Sequence, residues 1–278
     1  MTYSELAENG KNILCAAGIE NAAQEAIIML CAAADTDTTG YLLKRYDAVS
    51  EKESAEYLDL IRQRAEHVPM QYLLRSAAFM GLTFAVGSGV LIPRPETEEL
   101  AAICIDLIRA RGYRTVFDLC AGSGCIGISV ADQCPQTEVW LFEKYEGALK
   151  YLYRNIPADI ANRVHVVEAD IFTCETSFLP VPDLIVSNPP YIVSDEIAML
   201  QEEVQMEPQT ALDGGADGLD FYRCIMQRWA PLLPHGGFLA LECGETQTQN
   251  IASMILTAKK TERMKDMFGL YRFVTAEF

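Results

Sequence analysis

The run Asn188-Pro189-Pro190-Tyr191 follows directly on the apolar stretch Asp183-Leu184-Ile185-Val186-Ser187. A tetrapeptide of these uncommon residues is expected by chance in a chain of this length about one time in a thousand. Two prolines remove two backbone donors and restrict the residues before them, so at the least this is a rigid turn closing a strand. Such a turn also holds acceptors in fixed places. The Asn188 side-chain oxygen and the Pro189 carbonyl could each take one N–H of a planar NH2 group, aiming its nitrogen lone pair at an electrophile, with Tyr191 as an apolar wall. An amide nitrogen is a feeble nucleophile, so against a strong electrophile placement and charge carry the rate. An N-alkylated amide cation sheds its proton readily, and no general base is needed beforehand. The chain has three histidines, His67, His165 and His235, and none is assigned a role.

A second group of residues could bind a nucleoside. Asp118-Leu119-Cys120-Ala121-Gly122-Ser123-Gly124-Cys125-Ile126-Gly127 starts at the end of an apolar run and leads into a helical pattern. Small residues there let the backbone turn tightly and a ligand approach the helix amino terminus. Tight strand-to-helix turns also occur without ligands, so the loop alone decides little. Glu143 ends the next apolar run, Trp140-Leu141-Phe142, and lies 21 residues after Gly122. In a doubly wound sheet that interval brings a carboxylate beside a bound ribose, where it can accept from both hydroxyls. Asp170-Ile171-Phe172 ends the following run and could hold an adenine at the same edge. Gly127, three after Gly124, keeps a dinucleotide-binding reading open.

These groups need a sheet to position them. Thr115–Leu119, Glu138–Phe142, Val164–Glu168, Asp183–Ser187 and Phe238–Glu242 read as strands; Ile126–Asp132, Glu146–Asn155, Leu219–Trp229 and Thr246–Ala258 read as helices. Their alternation predicts an α/β fold, a Rossmann-like, largely parallel sheet with helices on both faces. Residues 1–75 read as a small helical domain. Ser50 and Glu53 have the form of a capping box, with Ala55, Leu58, Ile61 and Ala65 at helical spacing and a stop near Val68-Pro69. Asn21 to Ala34 is a second helix, for which Asn21 and Gln24 suggest a looser box. Residues 76–95 read as a hairpin linker, with one arm in Phe79–Val86 and the other in Val90–Ile92, and residues 96–278 as the main domain.

Composition narrows the function classes. With half of its 278 residues apolar the chain can bury a large core. A net charge of −17 gives a surface that repels a phosphate backbone, so direct nucleic-acid binding is not expected. Nine scattered cysteines without a Cys-x-x-Cys pair indicate neither a metal site nor a disulfide framework. The start lacks the pattern of a secretory signal, and no uncharged apolar run reaches about 18 residues, so a cytoplasmic protein without membrane attachment is expected.

Taken together, Asp118 to Gly127, Glu143 and Asn188-Pro189-Pro190-Tyr191 resemble the class I S-adenosylmethionine-dependent methyltransferases that modify planar nitrogens. Leu91-Ile92-Pro93-Arg94-Pro95-Glu96-Thr97-Glu98-Glu99-Leu100, Glu207 to Leu219, Leu239 to Glu245 and Asp266 to Val274 resemble, more narrowly, the peptide chain release factor N5-glutamine methyltransferases. The likeness runs from about Met70 to the end; the amino-terminal helices match only in kind. It implies S-adenosylmethionine as cofactor, contacted by Cys120, Ala121, Gly122, Ser123, Gly124, Glu143, Asp170, Ile171 and Asn188. It implies the glutamine of the Gly-Gly-Gln loop of a class 1 release factor as substrate, held by Asn188, Pro189, Pro190 and Tyr191, and the helical domain as the recognition module. Cys120 stands where glycine is common, which a negative backbone φ would tolerate, and Glu143 replaces the more usual aspartate. Alternatives are a glutamine methyltransferase of a ribosomal protein, a methyltransferase of a nucleic-acid exocyclic amine working on a flipped base, and a non-catalytic binding protein on the same scaffold.

Overall fold

A computed structural model describes all 278 residues, which form two compact units. The first comprises Met1–Ser76 together with Gln201–Met206. Its helices are α1 (Tyr3–Ala16), α2 (Ala22–Ala33), α3 (Thr38–Lys44), α4 (Glu51–Ala65) and α5 (Met70–Leu74). Leu6, Leu14, Ala26, Met29, Leu30, Tyr57 and Ile61 are fully buried in its core. Gly10 lets α1 approach α4, because a Cβ there would fall 1.9 Å from the Tyr57 hydroxyl. The Ser50/Glu53 capping box of α4 is present, but the Asn21 side chain caps nothing. Helix α4 ends at Ala65, just before His67 takes a left-handed φ of 62°. Arg64, 2% exposed, is paired with Glu25 and with Glu203 from the distant Gln201–Met206 segment. Two carboxylates balance a guanidinium that burial alone would not tolerate.

The second unit, Ala77–Leu200 with Glu207–Phe278, carries the sheet. A hairpin of β1 (Ser76–Phe79) and β2 (Leu82–Ala85) turns at Met80-Gly81, both residues at positive φ. This is the mirror-type turn that matches strand twist. The expected second arm at Val90–Ile92 is not a strand: the hairpin closes earlier, and the chain from Val86 to Arg94 runs on as a loop. Then come α6 (Pro95–Arg111), β3 (Thr115–Leu119), α7 (Cys125–Gln133), β4 (Glu138–Glu143), α8 (Glu146–Asn155), β5 (Val164–Glu168) and β6 (Leu184–Ser187). After α9 (Glu202–Gln205), which belongs to the first unit, follow α10 (Asp220–Cys224), β7 (Phe238–Glu242), α11 (Thr248–Met254), β8 (Lys260–Lys265) and β9 (Tyr271–Glu277). The helix expected over Leu219–Trp229 changes to a π turn at Ile225–Trp229. The Trp229 indole N–H there donates to the Ile171 carbonyl at 3.0 Å.

The seven strands lie in the order β5-β4-β3-β6-β7-β9-β8, parallel from β5 to β7 and antiparallel for the last two pairings. Successive strand residues go to opposite faces. Val116, Val139, Leu141, Leu184 and Val186 face a core shared with α6 and α7; Phe117, Leu119, Phe142, Ile185 and Leu241 face one closed by Tyr222, Ile225, Trp229 and Ile251. In the second core the Phe117 ring lies 5.1 Å from Phe142, and Phe142 lies 4.8 Å from Trp229. Such aromatic pairs add about 0.5–1.5 kcal/mol each beyond burial. Strand order reverses between β3 and β6. In an open sheet of this kind a crevice opens outside the carboxyl ends of those two strands.

Candidate active site

Leu119 is in register with Phe142 on one side and Ser187 on the other, so the ends of β3, β4 and β6 are level. The Ser187 hydroxyl donates to the Leu119 carbonyl at 2.6 Å and ties two of them together. Beyond Leu119 the chain leaves the sheet through three left-handed residues, Cys120 (φ 60°), Gly122 (φ 57°) and Gly124 (φ 81°). Cys120 therefore has the positive φ that glycine adopts freely and other residues adopt at a cost of roughly 1–2 kcal/mol. A Cβ on Gly122 would meet nothing nearer than Val90 at 4.0 Å, so this face of the loop is open. Gly127 has a different task. A Cβ there would fall 2.2 Å from Leu141, so its absence lets α7 pack against β4, while its N–H donates to Asp118 at 2.9 Å. The second Asp118 oxygen is buried without a partner, and burial pushes this carboxyl up to about 7.

Glu143 reaches back to the loop. One oxygen accepts from Gly122 N–H at 2.9 Å, and the other accepts from the N–H groups of Lys144 and Tyr145, both at 2.8 Å. Asp170 lies further along the same edge, its oxygens taking the Phe172 N–H and the Lys144 ammonium, both at 2.9 Å. Partial burial would raise this carboxyl, but Lys144 and the Phe172 amide outweigh it and hold it below its usual range. Loop, carboxylates and turn surround a cleft open to solvent. Cys120, Ala121, Gly122, Ser123, Glu143, Asp170, Ile171, Asn188 and Pro190 line it. Gly124, Pro189 and Tyr191 are not part of that lining: Gly124 caps α7 from behind, and Tyr191 packs towards the second core.

The turn at 188–191 is held from three sides. The Asn188 side-chain N–H donates to the Thr97 hydroxyl oxygen at 3.1 Å, and no hydrogen bond within the chain is made to Asn188 Oδ1 or to the Pro189 carbonyl. The Gln247 amide donates to the carbonyls of Tyr191 at 2.8 Å and Gly218 at 3.2 Å. The glycine-rich segment rests directly on the turn, since a Cβ on Gly214 would lie 2.7 Å from Tyr191 Cα and 2.9 Å from the Pro190 carbonyl oxygen. Backbone atoms cannot step aside as a flexible side chain can. Gly214→Ala is therefore expected to cost about 1–3 kcal/mol of stability, as overpacking does. Urea unfolding measures it, and a wild-type midpoint would mean that the loop yields without strain.

Glu242, at the end of β7, sits beneath this turn. It is 2% exposed, Oε2 has no hydrogen-bond partner, and burial pushes the carboxyl up to about 7 against the opposing effects of Thr97 and Arg272. Burial likewise pushes the Tyr191 hydroxyl up to about 12, helped by Glu242. Reasoning from motifs did not single out Thr97, Glu242, Gln247, Asn155 or Phe221. Asn155, at the end of α8, clamps the Ala85 backbone and accepts nothing from the loop but donates to the Ser123 carbonyl at 3.0 Å. Phe221 stacks edge-on against Phe172 at 5.0 Å on the cleft wall. Thr97 and Glu242 lie within runs already noted for their family likeness, and that was the available signal.

Comparison with known proteins matches residues 5–74 to the PrmC N-terminal domain and residues 97–215 to the methyltransferase small domain. The release factor glutamine methyltransferase of Geobacter sulfurreducens is 38% identical over 247 residues, covering 88% of this chain and 84% of the relative. That of Clostridium botulinum is 32% identical over 280 aligned residues, covering 99% of each. Among solved structures, the hMettl16 catalytic domain in complex with a MAT2A 3'UTR hairpin has a TM-score of 0.57 at 13% identity, over 82% of each chain, a likeness of fold.

Proposed function

The chain belongs to the release factor glutamine methyltransferase family, and from that premise we propose that it transfers the methyl group of S-adenosylmethionine to the side-chain amide nitrogen of the glutamine in the Gly-Gly-Gln loop of class 1 release factors. The observation that carries the reading is the state of the turn: Asn188 is anchored through its nitrogen, leaving Oδ1 and the Pro189 carbonyl as uncommitted acceptors on a backbone stiffened by two prolines. Two acceptors match the two N–H bonds of a primary amide.

The cleft suits the cofactor. Glu143 has acceptor capacity left after three backbone bonds, since an ionised carboxylate offers about four lone-pair sites. Gly122 has open space over it, and Ile171 and Phe172 supply apolar surface beyond. In this reading Cys120, Ala121, Gly122, Ser123, Gly124, Glu143, Asp170, Ile171 and Asn188 form the cofactor site, with Gly124 acting through the backbone turn. The sulfonium supplies an electrophilic methyl group when bound. Asn188 and Pro189 hold the amide N–H groups so that the nitrogen lone pair points at that methyl, Pro190 stiffens the turn, and Tyr191 backs it. Fixing the amide removes rotational freedom before reaction and favours pyramidal nitrogen, which is where placement accelerates transfer. The same proposal makes residues 1–75 the release-factor recognition domain, 76–95 the hairpin linker and 96–278 the methyltransferase domain. No helix is long and apolar enough to cross a membrane, and a cytoplasmic setting belongs to the proposal.

Incubation with methyl-labelled cofactor and purified release factors, ribosomal proteins and RNA tests this reading. Label is expected on the Gly-Gly-Gln glutamine, and a release factor with that glutamine replaced by alanine should stay unlabelled. Label on ribosomal protein or RNA alone would overturn the substrate assignment.

A further inference from the structure

Two segments far apart in sequence flank the turn at 188–191, and one buried carboxylate joins them. Glu207 is 5% exposed; its Oε2 accepts from the Ile92 N–H at 2.9 Å, and its Oε1 pairs with the Arg94 guanidinium. All of these residues belong to the second unit. On one side the Arg94 carbonyl accepts from Thr97 N–H at 3.1 Å, and the Thr97 hydroxyl oxygen accepts from Asn188 Nδ2 at 3.1 Å. On the other side Glu207 leads into the short helical turn Gln209–Ala211, after which the Leu212 carbonyl accepts from Ile192 N–H at 2.9 Å. Gly214 N–H then donates to the Ile192 carbonyl at 2.8 Å, and Gly214 lies against Pro190, where a Cβ would fall 2.9 Å from the carbonyl oxygen. Asn188 and Pro190 are thus each held by one arm, and the bases of the two arms meet at Glu207.

The arms also form part of the cleft. Pro93 and Arg94 from the first and Pro208, Thr210 and Ala211 from the second line it alongside Asn188 and Pro190. A carboxylate stripped of water is costly, and a well-packed apolar residue of similar size would often serve stability as well. What the ion pair and the Ile92 bond provide, and apolar packing does not, is a fixed length and direction between the arms. Resting on the proposed function, we infer that Glu207 and Arg94 are positioning residues for methyl transfer. Their pair sets the spacing of the two arms, and through it the direction in which Asn188 Oδ1 and the Pro189 carbonyl meet the glutamine amide. The effect passes through Thr97 on one side and the Gly214 backbone on the other. Placement is what the transfer depends on, and a shift of about 1 Å at a reacting group costs on the order of 10²-fold in rate.

E207Q, R94Q and their combination in the full chain test the inference. E207Q keeps an oxygen for the Ile92 N–H and gives up the ionic link, while R94Q removes the same link from the other side. If E207Q melts too low to assay, R94Q carries the test, because the Arg94 side chain is 32% exposed and its loss is better tolerated. Calorimetry with S-adenosylmethionine reads the cofactor site, and single-turnover transfer over a range of release-factor concentrations reads maximal rate and half-saturation separately. Each single variant is expected to lower the maximal rate by about 10–10²-fold. Half-saturation and the cofactor dissociation constant should stay within about threefold, since the interaction lost acts on placement rather than on binding. In the double variant two neutral amides can hydrogen-bond each other, so the losses should not multiply, and it should be no slower than the slower single variant. A wild-type maximal rate with a lowered melting temperature would leave the pair a merely structural role and overturn the inference. So would multiplied losses in the double variant, or a loss in R94Q confined to cofactor affinity, which would make Arg94 a cofactor ligand instead. If the wild-type chain itself left the glutamine unmethylated, the proposed function would fail, whereas an active wild type with unaffected variants sinks this inference alone.

Discussion

Asn188→Ala is expected to slow methyl transfer by about 10²–10³-fold, the loss seen when one preorganised polar group at a reacting centre is removed. The change deletes the acceptor for one amide N–H and leaves the target amide free to rotate about its bond to the chain. It also vacates the Thr97 contact, which the alanine cannot replace. Cofactor affinity should fall far less, because Glu143 and the glycine loop stay in place. Asn188→Asp keeps an oxygen in nearly the same position but gives up the Nδ2 anchor to Thr97. Its rate should fall between those of wild type and Ala. Single-turnover measurement with saturating cofactor and release factor tests the order Asn, then Asp, then Ala. Equal rates for Ala and wild type would mean that Asn188 only shapes the turn.

Glu143→Ala should weaken cofactor binding by roughly 10–10²-fold, since a hydrogen bond to a charged group carries about 1.5–3 kcal/mol. The structure adds a second effect. The same carboxylate accepts the N–H groups of Gly122, Lys144 and Tyr145, and alanine would leave all three without that partner. The loop should lose order, so the melting temperature is expected to fall even without ligand. Glu143→Gln is no remedy, because its NH2 group must face one of those backbone donors. Calorimetry and thermal melts of the two variants separate the effects. An unchanged dissociation constant in Glu143→Ala would remove Glu143 from the cofactor site.

The two carboxyls raised to about 7, Asp118 next to the end of β3 and Glu242 at the end of β7, each have one buried oxygen without a partner. Both are buried for the same reason. The carboxyl ends of parallel strands are covered by the loops and helices that build the cleft, which strips water from any acid placed there. Neither was visible as an unusual group from its residue type.

What the sequence determined by itself was the parallel half of the sheet and the local motifs. A strand buried on both faces must be a short apolar run, and β3, β4, β6 and β7 are such runs bounded by turns; β5 at the sheet edge is a short apolar run as well. Asn188-Pro189-Pro190-Tyr191, the glycine loop and Glu143 were legible because their chemistry lies within a few consecutive residues or at the interval of one strand-helix-strand unit. The last hairpin was not legible: Lys260–Lys265 is a charged edge strand, with one face in solvent and no apolar run to mark it. The sign of φ at Cys120 was hidden as well, because a cysteine does not announce the left-handed turn that glycine would. Only the tertiary structure brought Thr97, 91 residues from Asn188, beside it, and set Glu242 and Gln247 under the turn. Local sequence sets which hydrogen-bonding groups a segment carries. Which of them meet, and so which way an amide or a hydroxyl must point, follows from strand order and from packing α6 and β7 against the sheet, contacts made across long separations and driven by burial common to many sequences.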